Sequence, residues 1–259
     1  MLRNVMGAVE IFQGSKEEGI MEYTYLLVNF FTIIIPFIFS FHPKLNFHKT
    51  WKAFFPAVIF TGVIFVVWDM YFTEMGVWGF NDKYLTGINV GNLPLEEVLF
   101  FFCIPYACVF TFHCLDLFLK KRVDSKNFLF SYILIFFLLV LGILNLGKAY
   151  TSSTFLSLAV LLAFAVFYLK LSWLNRFYAV YAVLLLPFFL VNGVLTGTGL
   201  EEEVVWYNSE EFMNFRIGTV PFEDIFYGME LILVNLIIYR YLLVKMDKST
   251  VTTPITQNS

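Results

Sequence analysis

The stretch Gly91-Asn-Leu-Pro94-Leu-Glu96-Glu97-Val-Leu-Phe-Phe-Phe-Cys103-Ile-Pro105-Tyr-Ala-Cys108-Val-Phe-Thr-Phe-His113-Cys114-Leu-Asp-Leu-Phe-Leu119 opens on turn-forming residues, sets down two adjacent carboxylates, and then runs almost wholly apolar to its end. A hydrocarbon core of roughly 30 Å needs about 20 helical residues at 1.5 Å each, so a run of this length is a membrane span. Comparable runs recur along the chain. They predict helices over about 22–41, 51–72, 94–119, 128–146, 152–169, 177–197 and 221–244, an all-α integral membrane protein of about seven transmembrane helices.

Composition agrees. Of 259 residues 59% are hydrophobic, 20% aromatic and only 14% charged, with a mean hydropathy of +0.75. A soluble domain carries about a quarter charged residues. No basic tract suggests nucleic acid. Cys103, Cys108 and Cys114 share one apolar run, which reads as small packers and not as a disulfide framework. Residues 1–21 form a polar tail without a secretory core, with Met21 as a second possible start. A membrane domain follows over 22–245, with halves at about 22–119 and 150–245, and a C-terminal tail over 246–259.

Positive charge orients the spans, because cytoplasmic loops collect lysine and arginine. Of the 17 such residues, twelve fall after spans one, three, five and seven and five fall on the opposite side. The N-terminus is therefore expected outside and the C-terminus inside, in the cytoplasmic membrane of a bacterium. The two long connections, about 73–93 and 198–220, then lie on the outer side. Connections of this length within a compact protein are often functional.

Both long connections end in the same motif. Gly91-Asn-Leu-Pro94-Leu-Glu96-Glu97 returns as Gly218-Thr-Val-Pro221-Phe-Glu223-Asp224 at an offset of 127, and Phe80-Asn81 falls on Tyr207-Asn208 at the same offset. Four crossings separate the copies, so they point the same way: a parallel repeat of about three helices each, joined by the fourth span. Such repeats place binding sites between their halves. One Pro-x-Glu-Glu would read as a helix start, proline in the first turn and acids at the positive end of the dipole. Two copies at one spacing point further, to Glu96, Glu97, Glu223 and Asp224 as candidate catalytic groups, since carboxylates near hydrocarbon are costly. Asp69 and Glu230 lie within apolar stretches, and either an interhelical hydrogen bond or a role in the site accounts for them. Glu223, Tyr227 and Glu230 share a helix face by their i, i+4, i+7 spacing, whereas the first copy offers Glu96, Phe100 and Cys103. That inequality makes Glu223 the expected proton donor, with Asp224 or Glu97 as the nearby base. Asn81 and Asn208 join Asp69, Tyr227 and Glu230 as supporting positions.

The residue types limit the chemistry. Three histidines, His42, His48 and His113, are too few for a histidine-box di-iron site, and no nucleotide-binding glycine loop or Asp-rich diphosphate motif occurs, so no metal is expected. What remains is Brønsted acid chemistry. A carboxyl group removed from water tends to hold its proton, and aromatic faces steady a carbocation from which water is excluded.

The stretches Gly91–Phe102 and Val220–Tyr227 resemble the membrane lycopene β-cyclases, and Met21-Glu-Tyr-Thr-Tyr-Leu-Leu-Val-Asn29 is similar to that family's usual start. The likeness spans about 21–245, in the form with both halves fused. It implies cyclisation of the linear ψ-ends of lycopene or a related linear carotenoid to β-ionone rings in carotenoid biosynthesis. This is an isomerisation without net redox, with the family's acidic motif at Glu96, Glu97, Glu223 and Asp224. No flavin fingerprint is present, so no cofactor is expected, and the partners are the carotenoid and the lipid bilayer. The alternative is a proton-coupled transporter using the buried carboxylates. A retinal photoreceptor is disfavoured because Lys245 lies only at the inner end of the last span.

Overall fold

A helix stands at each of the seven apolar runs. The computed structural model describes residues 21–119 and 127–251. Within them lie α1 (Thr24–Phe39), α2 (Trp51–Glu74), α3 (Leu95–Leu119), α4 (Leu129–Leu144), α5 (Ala149–Ala163, continued by a π-turn over Phe164–Tyr168), α6 (Leu174–Leu195) and α7 (Phe222–Val251). Five helical segments, those containing α2, α3, α5, α6 and α7, are long and apolar enough to cross a membrane. The helices α1 and α4 are apolar but hold 16 residues each, about 24 Å at the helical rise. The expected tail up to residue 20, the basic residues between Leu119 and Asn127, and the chain beyond Val251 lie outside the described residues.

Three boundaries depart from the sequence expectation for physical reasons. Helix α5 starts at Ala149 and not near 152, because hydroxyls that read as loop bond back to their own helix: Ser152 Oγ to Lys148 O at 2.8 Å and Ser153 Oγ to Ala149 O at 2.6 Å. Helix α6 starts at Leu174, drawing in Arg176, which is buried against Asp116 of α3. Helix α7 continues to Val251, so the expected C-terminal tail begins as helix.

The long connections are ordered. Each holds a two-residue hairpin, β2–β3 (Asn89–Val90 with Leu93–Pro94) in the first and β5–β6 (Arg216–Ile217 with Val220–Pro221) in the second. Gly91 at φ 68° and Gly218 at φ 64° take the first loop position, where a turn matched to strand twist requires positive φ. The remaining strands, β1 (Trp78–Phe80) and β4 (Val205–Tyr207), pair antiparallel with Gly79 opposite Trp206. The offset between those two residues is the repeat's own 127, so each strand pairs with its own counterpart. Bonds flank the pair symmetrically: Asn81 N–H to Val204 O and Asn208 N–H to Val77 O, both 2.9 Å. A pseudo-twofold axis therefore passes through Gly79 and Trp206. The indole covers the glycine so closely that a Cβ there would lie 2.3 Å from its ring.

Beneath this ribbon the helices α3 and α7 start side by side around the axis. Helix α1 packs on α3 and α5 on α7, while α2 crosses to α7 and α6 to α3. Helix α4 sits outside, against α5. The main core, with Phe54, Tyr106, Leu158, Phe177 and Leu233 fully or almost fully buried, fills the space below the motif. At its far end Asp116 pairs with Arg176 of α6 and, at 3.5 Å, with Arg240 of α7, whose guanidinium lies 4.9 Å from the centre of the Trp173 ring.

Candidate active site

Each hairpin delivers its two acids into the first turn of a helix, and the two acids then turn different ways. Successive residues on a helix point about 100° apart. The first acid of each pair turns back under its own loop. Glu96 Oε1 accepts Thr86 N–H at 2.8 Å and Thr86 Oγ1 at 2.6 Å; Glu223 Oε1 accepts Met213 N–H at 2.8 Å and Thr151 Oγ1 at 2.6 Å. Thr86 and Met213 are again 127 apart. Both carboxyls are fully buried, and they hold the loops onto the helix starts.

The second acid of each pair turns inward. Glu97 Oε2 accepts the Tyr25 hydroxyl of α1 at 2.5 Å. Asp224 accepts Tyr150 of α5 at 2.6 Å on Oδ1 and Tyr207 of β4 at 3.1 Å on Oδ2, with Asn192 Nδ2 at 3.5 Å. Burial and then the charge of Asp224 hold the Tyr207 phenol well above its ordinary ionisation range, so it remains a donor. Asp69, close to the C-terminal end of α2, accepts Trp78 Nε1 of β1, and its Oδ2 is buried without a partner among the described residues.

Glu97, Asp224 and Asp69 line one cavity of about 770 Å³ between α1, α3, α6 and α7. Trp78, Tyr150, Tyr207 and Tyr227 form its aromatic end, with Tyr150 and Tyr207 stacked at 5.8 Å and Trp78 5.1 Å from Tyr150. The Tyr227 hydroxyl is buried without a partner among the described residues.

Set against the sequence expectation, Glu97, Asp224, Asp69 and Tyr227 are brought together, and Glu96, Glu223, Glu230, Asn81 and Asn208 do not line the cavity. The shared face of Glu223 and Glu230 turns toward α5, where Thr151 and Ser157 (2.7 Å to Glu230) take the two carboxyls. Asn81 and Asn208 work in the ribbon: Asn81 bonds Glu202 and the N–H of Lys83, and Asn208 bonds Gly76 O and the N–H of Glu210. Glu223, expected to head the reacting face, has a loop N–H and the Thr151 hydroxyl of a neighbouring helix as its partners. Sequence reasoning missed Tyr25, Tyr150, Tyr207 and Trp78. A signal existed for Tyr207, which the repeat aligns with Phe80. Tyr25 and Tyr150 lie 72 and 74 residues from their acids, with no local cue.

The family model described as Lycopene cyclase matches residues 22–115 and again residues 147–242. No curated protein and no solved structure matches the chain. The two matched segments each contain one copy of the acidic motif; the first brings Asp69 and Glu97 to the cavity and the second brings Asp224.

Proposed function

The chain belongs to the lycopene cyclase family, and from that premise we propose that it closes the linear ψ-ends of a lycopene-type carotenoid by proton transfer between Glu97 and Asp224. The observation that carries this reading is the convergence of those two carboxyls on one aromatic cavity. The family supplies a carotenoid cyclase role in general; the acid–base assignment rests on hydrogen-bond geometry. Asp224 accepts phenol protons on both oxygens, an arrangement suited to the charged carboxylate, which only accepts. Glu97 has a single phenol on Oε2, leaving Oε1 to carry a proton into the cavity.

Glu97 protonates the terminal alkene, leaving a tertiary carbocation. The π pair of the internal double bond forms the ring C–C bond, and the positive charge moves into the ring between the faces of Trp78, Tyr150, Tyr207 and Tyr227. Asp224 then removes a ring proton, and the electron pair left behind becomes the ring double bond. The substrate gains one proton from Glu97 and loses one to Asp224, so it is isomerised without net redox and no electrons from a flavin are needed. The proton passes back from Asp224 to Glu97 before the next turnover. Apolar walls exclude the water that would quench the cation.

The halves about 22–119 and 150–245 form one membrane domain crossing seven times, with α1 and α4 reaching across by their flanking residues and local thinning. The N-terminus lies outside. The family match gives no support to the alternative of a proton-coupled carrier.

The test is ring product per folded enzyme, in lipid, without added flavin or nicotinamide. Glu97→Gln and Asp224→Asn are each expected to abolish it, because an amide neither gives nor takes the proton. Wild-type turnover in either variant removes that residue from the chemistry. An enzyme inert until reduced flavin is supplied overturns the cofactor-free mechanism.

A further inference from the structure

A repeat with two acidic motifs invites the expectation of two sites, one for each end of a symmetric carotenoid. The side chains around the pseudo-twofold axis deny it. The cavity's floor and wall are cut from small residues whose counterparts, 127 positions away, are large. Gly228 lies where the other half has Phe101, Ala107 where it has Val234, and Thr111 where it has Ile238. Phe101 is almost fully buried with Phe65, their rings 6.2 Å apart, and Phe65 in turn meets Tyr227 at 5.2 Å. Phe101 thus puts a ring where the cavity side has Gly228, whose missing side chain leaves room for Tyr181 and Phe188 on the cavity wall.

The open chamber is polarised along its length. Its three carboxyls, Asp69, Glu97 and Asp224, all belong to the outer ends of their helices. From Glu97 the lining runs down α3 to Thr111, about 21 Å at the helical rise, and no other carboxyl among the described residues faces it. Its mouth lies between α1 and α6, where the lining residues Phe31, Ile35 and Leu190 are 65%, 62% and 69% exposed. These are apolar residues on the outer surface of the bundle, the surface that meets lipid. A depth of about 21 Å along α3 is shorter than an extended tetraterpenoid, so the chamber takes one end of such a chain and not its whole length.

Resting on the cyclase reading above, we infer that the protein has a single reaction chamber which takes a linear carotenoid end-on, so that one ring forms per visit. The trailing half of the substrate lies outside, between α1 and α6 and in the bilayer. A second ring requires the monocyclic product to leave and re-enter by its other end.

The test uses the full chain in lipid with two substrates: the fully linear carotenoid, and the monocyclic one that keeps a single linear end. Because the trailing end makes little contact with the chamber, kcat/KM for ring closure is expected to agree within about threefold between them. Labelled linear substrate mixed with excess unlabelled monocyclic compound is expected to yield label in free monocyclic product and little in bicyclic product. Refusal of the monocyclic substrate, or labelled bicyclic product undiminished by the unlabelled pool, overturns the inference. The underlying cyclase reading fails differently, with neither substrate gaining a ring. Filling the chamber by Gly228→Leu, with monodispersity in detergent checked, is expected to slow both ring closures by the same factor. Loss of one closure with the other at its wild-type rate would show two chambers.

Discussion

At Asp224 both oxygens take a phenol proton, where Glu97 takes one. A hydrogen bond to a charged group contributes about 1.5–3 kcal/mol. Tyr150→Phe is therefore expected to lower kcat/KM for ring closure by roughly 10- to 100-fold, by unsettling the base without touching the acid. Tyr207→Phe acts in the same direction but less, since its bond is 3.1 Å against 2.6 Å. Because Tyr207 is held above its ordinary range, its proton is retained as pH rises through about 10, where a free phenol ionises. A fall in wild-type activity near that pH which Tyr207→Phe removes would contradict this. The first acid of each pair is expected to answer to stability instead. Glu223→Ala leaves the Met213 N–H and the Thr151 hydroxyl unpaired, at about 1–3 kcal/mol. It should lower the thermal midpoint in detergent, whereas Glu223→Gln, whose amide oxygen accepts the same bonds, should recover most of the loss. Full turnover lost in folded Glu223→Gln would restore that residue to the chemistry.

The helices were legible because the signal for each is local: an unbroken apolar run of about the bilayer's length. The acidic motif was legible because it occurs twice. Which acid of each pair faces the cavity was not, since adjacent residues on a helix point about 100° apart and only the packing of α1 and α5 decides between them. The ribbon β1–β4 left a trace in the Phe80-Asn81 and Tyr207-Asn208 match, but a three-residue strand has no periodicity to read. The hairpins follow the same logic at smaller scale. Gly91 and Gly218 both hold positive φ, where an added Cβ costs on the order of 1 kcal/mol or more. Gly91→Ala should be the worse of the two, because its Cβ would also meet Met70 Cε at 2.8 Å while Gly218 faces open space. Comparable thermal midpoints for the two variants would show that Met70 yields freely.

On the scale of the whole molecule, the pseudo-twofold axis makes the long connections one joint cover, clasped through Gly79 and Trp206. If the charge bias orients the chain, that cover faces outward, and Asp82→Cys should react with an impermeant thiol reagent from outside; labelling only from the cytoplasmic side inverts the topology. The same symmetry says where the chain tolerates a cut. Glu97 belongs to the first half and Asp224 to the second, so on the proposed mechanism neither half holds a complete site. Helix α4 packs mainly against α5, and a cut in the short connection after Leu144 would strip it from its partner. A cut ahead of Asn127 leaves that pair intact and divides the acids one to each fragment. Residues 1–126 and 127–259 expressed together are therefore expected to reassemble through the α2–α7 and α3–α6 contacts and the ribbon β1–β4, and to form rings in a lycopene-accumulating host. Either fragment alone should leave the linear carotenoid unchanged. Rings made by the first fragment alone would mean that Glu97 needs no partner from α7, and the shared-cavity mechanism would fall with it.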